Sequence, residues 1–318
     1  MTREEQFGFL SKDGKTTIHA VKWIPENGEY KAILQITHGM IEYIERYKPF
    51  AEYFNEQGYL VVGHDHLGHG ASITSEEEWG FFAEKNPSDT VVEDMHQLRT
   101  LVQSENPGVP YYMMGHSMGS YMLRKYLCIH SEGVSGAIIM GTGTCPDGTM
   151  KLGIMLCKVM AAFRGWHYRS KLLQSMSYSK PYRKFDLYGE NYENSWLSKN
   201  VENVKEYYAD PRCSFLFTVN AYRGLMEAVL FDNQMENINK MPKDLPVFFV
   251  SGEDDPVGDL GEGVKKAYGK FVDAGMKDVT YKLYENDRHE ILNETDKDAV
   301  YNDLHAWLFV RAQEPRRK

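Results

Sequence analysis

Short runs of apolar residues, bounded by Gly, Asp and Asn, alternate along the chain with longer segments of helical periodicity. A short apolar run between turn residues is typical of a buried strand, whereas apolar positions three and four apart indicate a helix. Strand–helix alternation indicates a mostly parallel sheet covered by helices on both faces. The pattern predicts helices over residues 41–57 and 87–103, and an opening hairpin at Asp13-Gly14. It predicts strands over residues 7–10, 16–23, 32–36, 59–63, 111–114, 137–140, 247–250 and 279–284.

One connection is too long for this pattern. The strands that end at residue 140 and begin at residue 247 are separated by far more chain than a crossover needs, which is about one to three dozen residues. The intervening segment contains Trp166, Trp196 and many other aromatic residues, so it is not a flexible linker. We expect a core domain formed by residues 1–142 and 235–318, with residues 143–234 as a folded helical insertion that caps it.

Composition narrows the classes of protein that the chain can be. Hydrophobic residues make up 42% of it and charged residues 25%, as in a globular protein with a full core. The formal charge of −9 argues against nucleic acid as a partner, because nucleic-acid binding requires a basic face. The first residues lack a signal-peptide pattern, and no apolar run approaches the roughly 20 residues that span a bilayer. The four cysteines suit a reducing compartment, and a cytoplasmic location is expected.

The segment Gly115-His116-Ser117-Met118-Gly119 carries the strongest chemical signal. It has the form G-x-S-x-G and lies between an apolar run and a helix-like stretch, the context in which a sharp turn exposes a serine hydroxyl above the sheet. Ser117 is therefore the candidate nucleophile. Such a serine needs a base to take its proton and a carboxylate to orient that base, and both are expected later in the chain.

Four histidines follow Ser117, and His289 is the best candidate for the base. It lies in a polar loop just past a strand, where its side chain can reach the carboxyl edge of the sheet. His130 is at the far end of the helix after the serine, His167 is in the insertion, and His305 has the setting of a packed helix residue.

The acid is expected in the loop that follows the strand at 247–250. Glu253, Asp254 and Asp255 all lie there. Asp255, fixed by the following Pro256, is the preferred candidate, and Asp254 stays open as the alternative. An oxyanion hole needs two backbone N–H groups, for which the loop His38-Gly39-Met40 and the residue after the nucleophile offer Met40 and Met118.

These segments, in this order, resemble the α/β-hydrolase superfamily, and more narrowly its branch of monoacylglycerol lipases, lysophospholipases and serine aminopeptidases S33. The resemblance also rests on residues 65–72, Asp-His-Leu-Gly-His-Gly-Ala-Ser, and it covers the chain outside the insertion. It implies an α/β-hydrolase fold with a helical cap, no cofactor, and the acid at the last position of Gly252-Glu253-Asp254-Asp255. It departs at Leu67, where the branch usually has Arg. It also implies a structural role for His64, Asp65, His66 and His69, so no metal site is expected.

The insertion has a character of its own. Residues 149–171 hold five basic residues and no acidic one, interleaved with apolar positions at helical spacing. Such a basic amphipathic helix can lie on an anionic lipid surface or cover an apolar pocket, and it can also be an ordinary cap helix with solvated lysines. Met155, Phe163 and Trp166 are the candidate substrate-binding residues.

The sequence thus predicts a serine hydrolase that cleaves carboxylic esters through an acyl-enzyme. The Met-rich insertion favours a fatty-acyl ester with a small head group, such as a monoacylglycerol or a lysophospholipid, as the small-molecule substrate. Two alternatives stay open. An aminopeptidase would need an acidic anchor for a free N-terminus, for which Glu190, Glu193 or Glu227 are candidates. An inactive binding protein with the same fold is the other, although all three catalytic positions are filled. The oligomeric state is not predicted.

Overall fold

The computed structural model describes residues 2–178 and 180–313, and these residues form one eight-stranded sheet. The ends of the predicted core, residue 1 and residues 314–318, and residue 179 of the predicted insertion lie outside the described residues. The strand order is β1-β2-β4-β3-β5-β6-β7-β8. Strand β2 pairs antiparallel with β1 and β4, and all the other pairs are parallel. The strands are β1 (Arg3–Leu10), β2 (Thr17–Ile24), β3 (Ala32–Thr37), β4 (Tyr59–His64), β5 (Tyr111–His116), β6 (Gly136–Met140), β7 (Val247–Gly252) and β8 (Val279–Tyr284).

Every predicted strand is present, and the mostly parallel sheet is confirmed. Strands β3, β4, β5, β6 and β7 are buried along their whole length, as expected for strands covered on both faces. The opening hairpin is also confirmed: Ser11 N–H donates to Thr16 C=O at 2.8 Å, and Gly14 takes a φ of +78° in the turn.

Helices cover both faces of the sheet. One apolar cluster joins β5 and β6 to helices α2, α3 and α9, and a second joins the opposite face to α1 and α10. Because successive side chains of a strand point to opposite faces, neighbouring positions such as Met113 and Met114 belong to different clusters. The helices are α1 (Lys48–Glu56), α2 (Pro87–Glu105), α3 (Met118–His130), α4 (Asp147–Arg164), α5 (Lys171–Ser177), α6 (Val201–Ala209), α7 (Val219–Asp232), α8 (Met235–Ile238), α9 (Glu262–Asp273) and α10 (Lys297–Ala312).

Two predicted helices have different bounds. The helix expected over residues 41–57 is a 3-10 turn at Ile44–Tyr47 followed by α1, so residues 38–43 remain a loop. In that loop Ile41 has a φ of +57°, which is incompatible with a right-handed helix. The amphipathic helix expected over residues 149–171 ends at Arg164, because Gly165 takes a φ of +80° and turns the chain before α5.

Residues 143–234, the predicted insertion, lie between β6 and β7 and contain helices α4, α5, α6 and α7. Helix α7 packs against α4 and also against α2 and α3, which joins the insertion to the sheet layer. None of the described helices is long and apolar enough to cross a membrane.

Candidate active site

Ser117 lies at the sharp turn between β5 and α3. Its φ of 52° and ψ of −122° are strained for a residue with a side chain, and such strain is concentrated at functional turns. The flanking glycines make the turn sterically feasible. A Cβ at Gly115 would lie 2.4 Å from the Gly119 carbonyl oxygen, and one at Gly119 would lie 2.1 Å from the carbonyl oxygen of Thr37. The turn therefore presses the start of α3 against the end of β3.

Asp255 and His289 are hydrogen-bonded to each other at the carboxyl edge of the sheet. His289 Nδ1 lies 3.0 Å from Asp255 Oδ2, and both side chains are buried. Asp255 also accepts from the Ser251 hydroxyl at 3.0 Å and from the Val257 N–H at 2.9 Å. Burial by itself would raise the pKa of Asp255, but His289 and these two donors outweigh it and hold the pKa below its ordinary value. The carboxylate is thus ionised and its imidazole partner is oriented.

The other ring nitrogen of His289, Nε2, is buried, and no group among the described residues hydrogen-bonds it. The ring packs beside Gly141, where an added Cβ would lie 3.1 Å from His289 Cε1. Ser117 N–H donates to the carbonyl of Met140 at 3.0 Å, so the nucleophile turn and the histidine ring meet at the carboxyl end of β6. A buried imidazole nitrogen without a partner at this place suits a base that receives a proton.

The two predicted oxyanion donors lie on segments that converge at Ser117. Met118 is the first residue of α3, and the first N–H groups of a helix have no partner within the helix. Met40 follows Gly39, whose loop runs so close to the nucleophile that a Cβ at Gly39 would lie 3.0 Å from Ser117 Cβ. Backbone donors on both sides of a serine are what a developing oxyanion requires.

The other candidates for the base and the acid have different surroundings. His130 lies 2.7 Å from Glu93 on the flank of the sheet, and His167 stacks on Phe81 with ring centroids 3.9 Å apart. His305 packs edge-on against the Tyr59 ring. Asp254 is exposed, next to the buried Asp255.

Part of the insertion is hydrogen-bonded to the loop that carries His289. The guanidinium of Arg288 donates to the Ser195 carbonyl at 2.6 Å, and Glu290 N–H donates to the Leu197 carbonyl at 2.8 Å. The Trp196 ring lies 5.1 Å from the His289 ring at an angle of 30°. The sequence had not indicated Trp196 as a site residue, because nothing in its local pattern shows that it covers an imidazole about 90 residues away.

The predicted substrate residues lie elsewhere. Met155 is 52% exposed and Phe163 is 82% exposed on the outer face of α4, so neither lines an enclosed pocket in this structure. The reason is the packing of α4 on α7 through its opposite face, where Met150, Gly153 and Cys157 are buried. Trp166 is half-buried, with the Arg223 guanidinium 5.0 Å from its ring.

Asp65 organises the histidine-rich loop. Its carboxylate accepts from Ile44 N–H and Ala71 N–H, each at 2.8 Å, and contacts His19 Nδ1 at 2.9 Å. The rings of His38 and His66 pack with centroids 4.3 Å apart, and His66 N–H donates to His38 Nε2. The described residues form no group of three or more side chains that could hold a metal ion.

Comparison with known proteins agrees with this architecture. The family model of serine aminopeptidase, S33, matches residues 28–296. A monoglyceride lipase homolog of Monkeypox virus is 26% identical, over 89% of this chain and 91% of that protein. The monoglyceride lipase of Saccharomyces cerevisiae is 27% identical, over 90% of this chain and 88% of that protein. A thermostable carboxyl esterase from Bacillus coagulans, solved with glycerol, superimposes with a TM-score of 0.87 at 28% identity, covering 98% of this chain and 100% of the esterase. The predicted α/β-hydrolase fold is confirmed.

Proposed function

The chain belongs to the serine aminopeptidase S33 family and is a carboxylic ester hydrolase, and on this premise we propose that it cleaves fatty-acyl esters of glycerol through Ser117, His289 and Asp255. The proposal rests on the different surroundings of the two ring nitrogens of His289 among the described residues. One ring nitrogen is held by the ionised Asp255, and the other is buried without a partner.

The proposed reaction follows from this asymmetry. Asp255 keeps the proton of His289 on Nδ1, so Nε2 accepts the Ser117 proton as Oγ attacks the acyl carbon. The Met40 and Met118 N–H groups stabilise the negative charge that develops on the acyl oxygen. His289 then protonates the departing alcohol, and water hydrolyses the acyl-enzyme by the same route.

A glycerol monoester fits both the comparisons and the surface of the insertion. The relatives are named as monoglyceride lipases, and the esterase of the same fold was solved with glycerol. Helices α4 and α5 expose apolar side chains, here called the apolar stripe, beside exposed Lys151, Lys158 and Arg164. The stripe consists of Leu152, Met155, Val159, Phe163, Leu172 and Met176, each about half exposed or more.

We infer that this apolar stripe rests on an anionic lipid surface, from which a water-insoluble substrate is drawn. Exposed apolar side chains with a basic border are typical of helices that lie in a membrane interface. Met155 and Phe163, proposed from the sequence as pocket residues, thereby serve as surface contacts.

The test compares monooleoylglycerol, p-nitrophenyl esters from acetyl to octanoyl, and aminoacyl p-nitroanilides as substrates. Each buried methylene adds about 0.8 kcal/mol, so kcat/KM should rise from butyryl to octanoyl, by up to about 200-fold for full burial of the four added methylenes. Ser117→Ala should abolish all ester cleavage. Faster cleavage of p-nitroanilides than of any ester would move the protein to the peptidase activity, and activity retained in Ser117→Ala would refute the proposed nucleophile.

A further inference from the structure

His116, the residue before the nucleophile, is buried between two hydrogen-bond acceptors. Its Nδ1 lies 3.1 Å from Glu42 Oε1, and its Nε2 lies 3.1 Å from the carbonyl oxygen of His289. The side chain is 4% exposed, and its ring lies 4.6 Å from the His289 ring. It therefore contacts the predicted base directly and reaches the loop after β3 at the same time.

The two contacts determine the protonation state of His116. A neutral imidazole has one N–H donor and one acceptor nitrogen. A backbone carbonyl can only accept, and an ionised carboxylate can only accept, so both ring nitrogens must carry a proton to make both bonds. With both bonds made, His116 is an imidazolium.

The surroundings supply the negative charge that an imidazolium needs. Arg46 donates to Glu42 at 3.0 Å and forms a two-bond pair with Glu290 at 2.6 and 2.8 Å. Glu290, Arg46, Glu42 and His116 thus form a row of alternating charges, in which all but the partly exposed Arg46 are buried. Tyr47 also faces the row and donates its hydroxyl to Glu42 at 3.0 Å.

Two other histidines face His116. His38 lies on the loop after β3, and His289 presents its carbonyl and its ring. Burial works to lower the pKa of His116, but Glu42 and Glu290 outweigh it and raise the pKa above its ordinary value. The pKa of Glu42 is held below its ordinary value, since His116 and Arg46 outweigh its burial.

Glu42 connects this row to the oxyanion loop. Its Oε1 accepts the Gly39 N–H at 2.5 Å, and Gly39 directly precedes Met40. The row therefore joins the residue before the predicted oxyanion donor to the backbone of the predicted base.

We propose that His116, as an imidazolium paired with Glu42, is a positioning residue that fixes the oxyanion loop and the His289 loop relative to Ser117. This inference rests on the proposed function. When His116 loses a proton, either Glu42 or the His289 carbonyl loses its donor, and the two loops are no longer held together. Because the pKa of His116 is raised in the folded protein, its bonds are complete below about pH 6.5, its unfolded pKa, and are lost as pH rises through the folded pKa.

Two variants separate this role from simple packing. His116→Phe keeps a ring but removes both donors, and Glu42→Gln removes the charge that holds the imidazolium. A misplacement of about 1 Å costs about 100-fold in rate, so we expect kcat to fall about 10- to 100-fold in His116→Phe with KM within about twofold. For Glu42→Gln, the ratio of the variant's kcat to the wild-type kcat should decrease as the pH rises from 6 to 8.5. A ratio that does not depend on pH would overturn the proposal.

The matched control is His130→Asn. It removes another histidine–glutamate pair, His130–Glu93, at the end of α3 away from the site, and it should leave kcat unchanged. If Ser117→Ala is inactive and His116→Phe has normal kinetics, the positioning role of His116 is refuted and the proposed function is not. Retention of activity in Ser117→Ala would refute the proposed function instead.

The protonation state can be measured without turnover. In the wild-type protein labelled with ¹⁵N-histidine, the imidazole signal that is absent from His116→Phe should show two protonated nitrogens at about pH 6.5, where an unperturbed imidazole is only half protonated. This measurement does not depend on whether a variant retains activity. A His116 signal with a single protonated nitrogen at about pH 6.5 would contradict the proposal.

Discussion

Replacing Asp255 by Asn tests how the buried carboxylate controls His289. The carboxylate has three donors around it: Val257 N–H on Oδ1, and the Ser251 hydroxyl and His289 Nδ1 on Oδ2. The Val257 N–H can only donate, so the amide oxygen of an Asn is best placed there and its NH₂ group faces His289. His289 Nδ1 must then accept, which moves the ring proton to Nε2.

With its proton on Nε2, His289 cannot receive the proton of Ser117. The same tautomer error in a serine protease lowers kcat by about 10⁴, which at 1.36 kcal/mol per factor of ten is about 5 kcal/mol in activation free energy. We expect a loss of this size in kcat for Asp255→Asn, with a small change in KM. The assay is steady-state hydrolysis of p-nitrophenyl butyrate, with folding checked by circular dichroism.

Asp254→Asn is the matched control, because the neighbouring carboxylate is exposed and should lose less than about twofold in rate. A loss of less than tenfold in a folded Asp255→Asn protein would refute the reasoning. If Asp254→Asn carried the large loss instead, the acid would be Asp254.

Three further predictions concern the fold and the insertion. Gly119→Ala places a Cβ 2.1 Å from the Thr37 carbonyl oxygen, so it should lower the free energy of unfolding by about 1–3 kcal/mol and also lower activity. Its control is Gly148→Ala, whose Cβ would have no neighbouring atom within 4 Å and which should be neutral or stabilising in urea unfolding. Burial raises the pKa of Asp94 to about 7, so its protonated form stabilises the fold below about pH 4 and this contribution is lost as pH rises through 7. Asp94→Asn should remove a pH dependence of about 4 kcal/mol in the free energy of unfolding, and identical pH profiles for variant and wild type would contradict this. Phe163→Asp should lower activity on anionic vesicles of monooleoylglycerol and leave p-nitrophenyl butyrate hydrolysis unchanged; an equal effect on both substrates would show that the side chain serves the site itself.

The strands could be predicted from local pattern, and the same pattern indicated the candidate site residues at their carboxyl ends. Buried parallel strands are short apolar runs, and the chain order of Ser117, Asp255 and His289 places each of them just after such a run. The sequence alone left the choice of acid open between Asp254 and Asp255. The structure favours Asp255, because of the two only Asp255 is buried against His289. The glycines of the Ser117 turn were also indicated by the sequence motif, and the structure shows that backbone atoms crowd these positions.

Contacts between residues far apart in the chain could not be predicted from the sequence. The exposed side of α4 was expected to line a pocket, because apolar periodicity gives the angle between side chains but not which side meets the rest of the protein. Glu42 and Arg46 fell in a predicted helix, yet Arg46 forms an ion pair with Glu290, more than 240 positions away, and Glu42 pairs with Arg46 and His116. Such partners depend on the closed sheet, and no local pattern carries that information.

Labelling with a fluorophosphonate is the most direct test of the central claim that Ser117 is a nucleophile activated by His289 and Asp255. Only an activated serine reacts quickly with such a probe. The account predicts that one phosphonyl group is added per chain, that peptide mapping places it on Ser117, and that Ser117→Ala and His289→Ala each abolish it. Modification at another serine, or undiminished labelling of Ser117 in His289→Ala, would contradict the account.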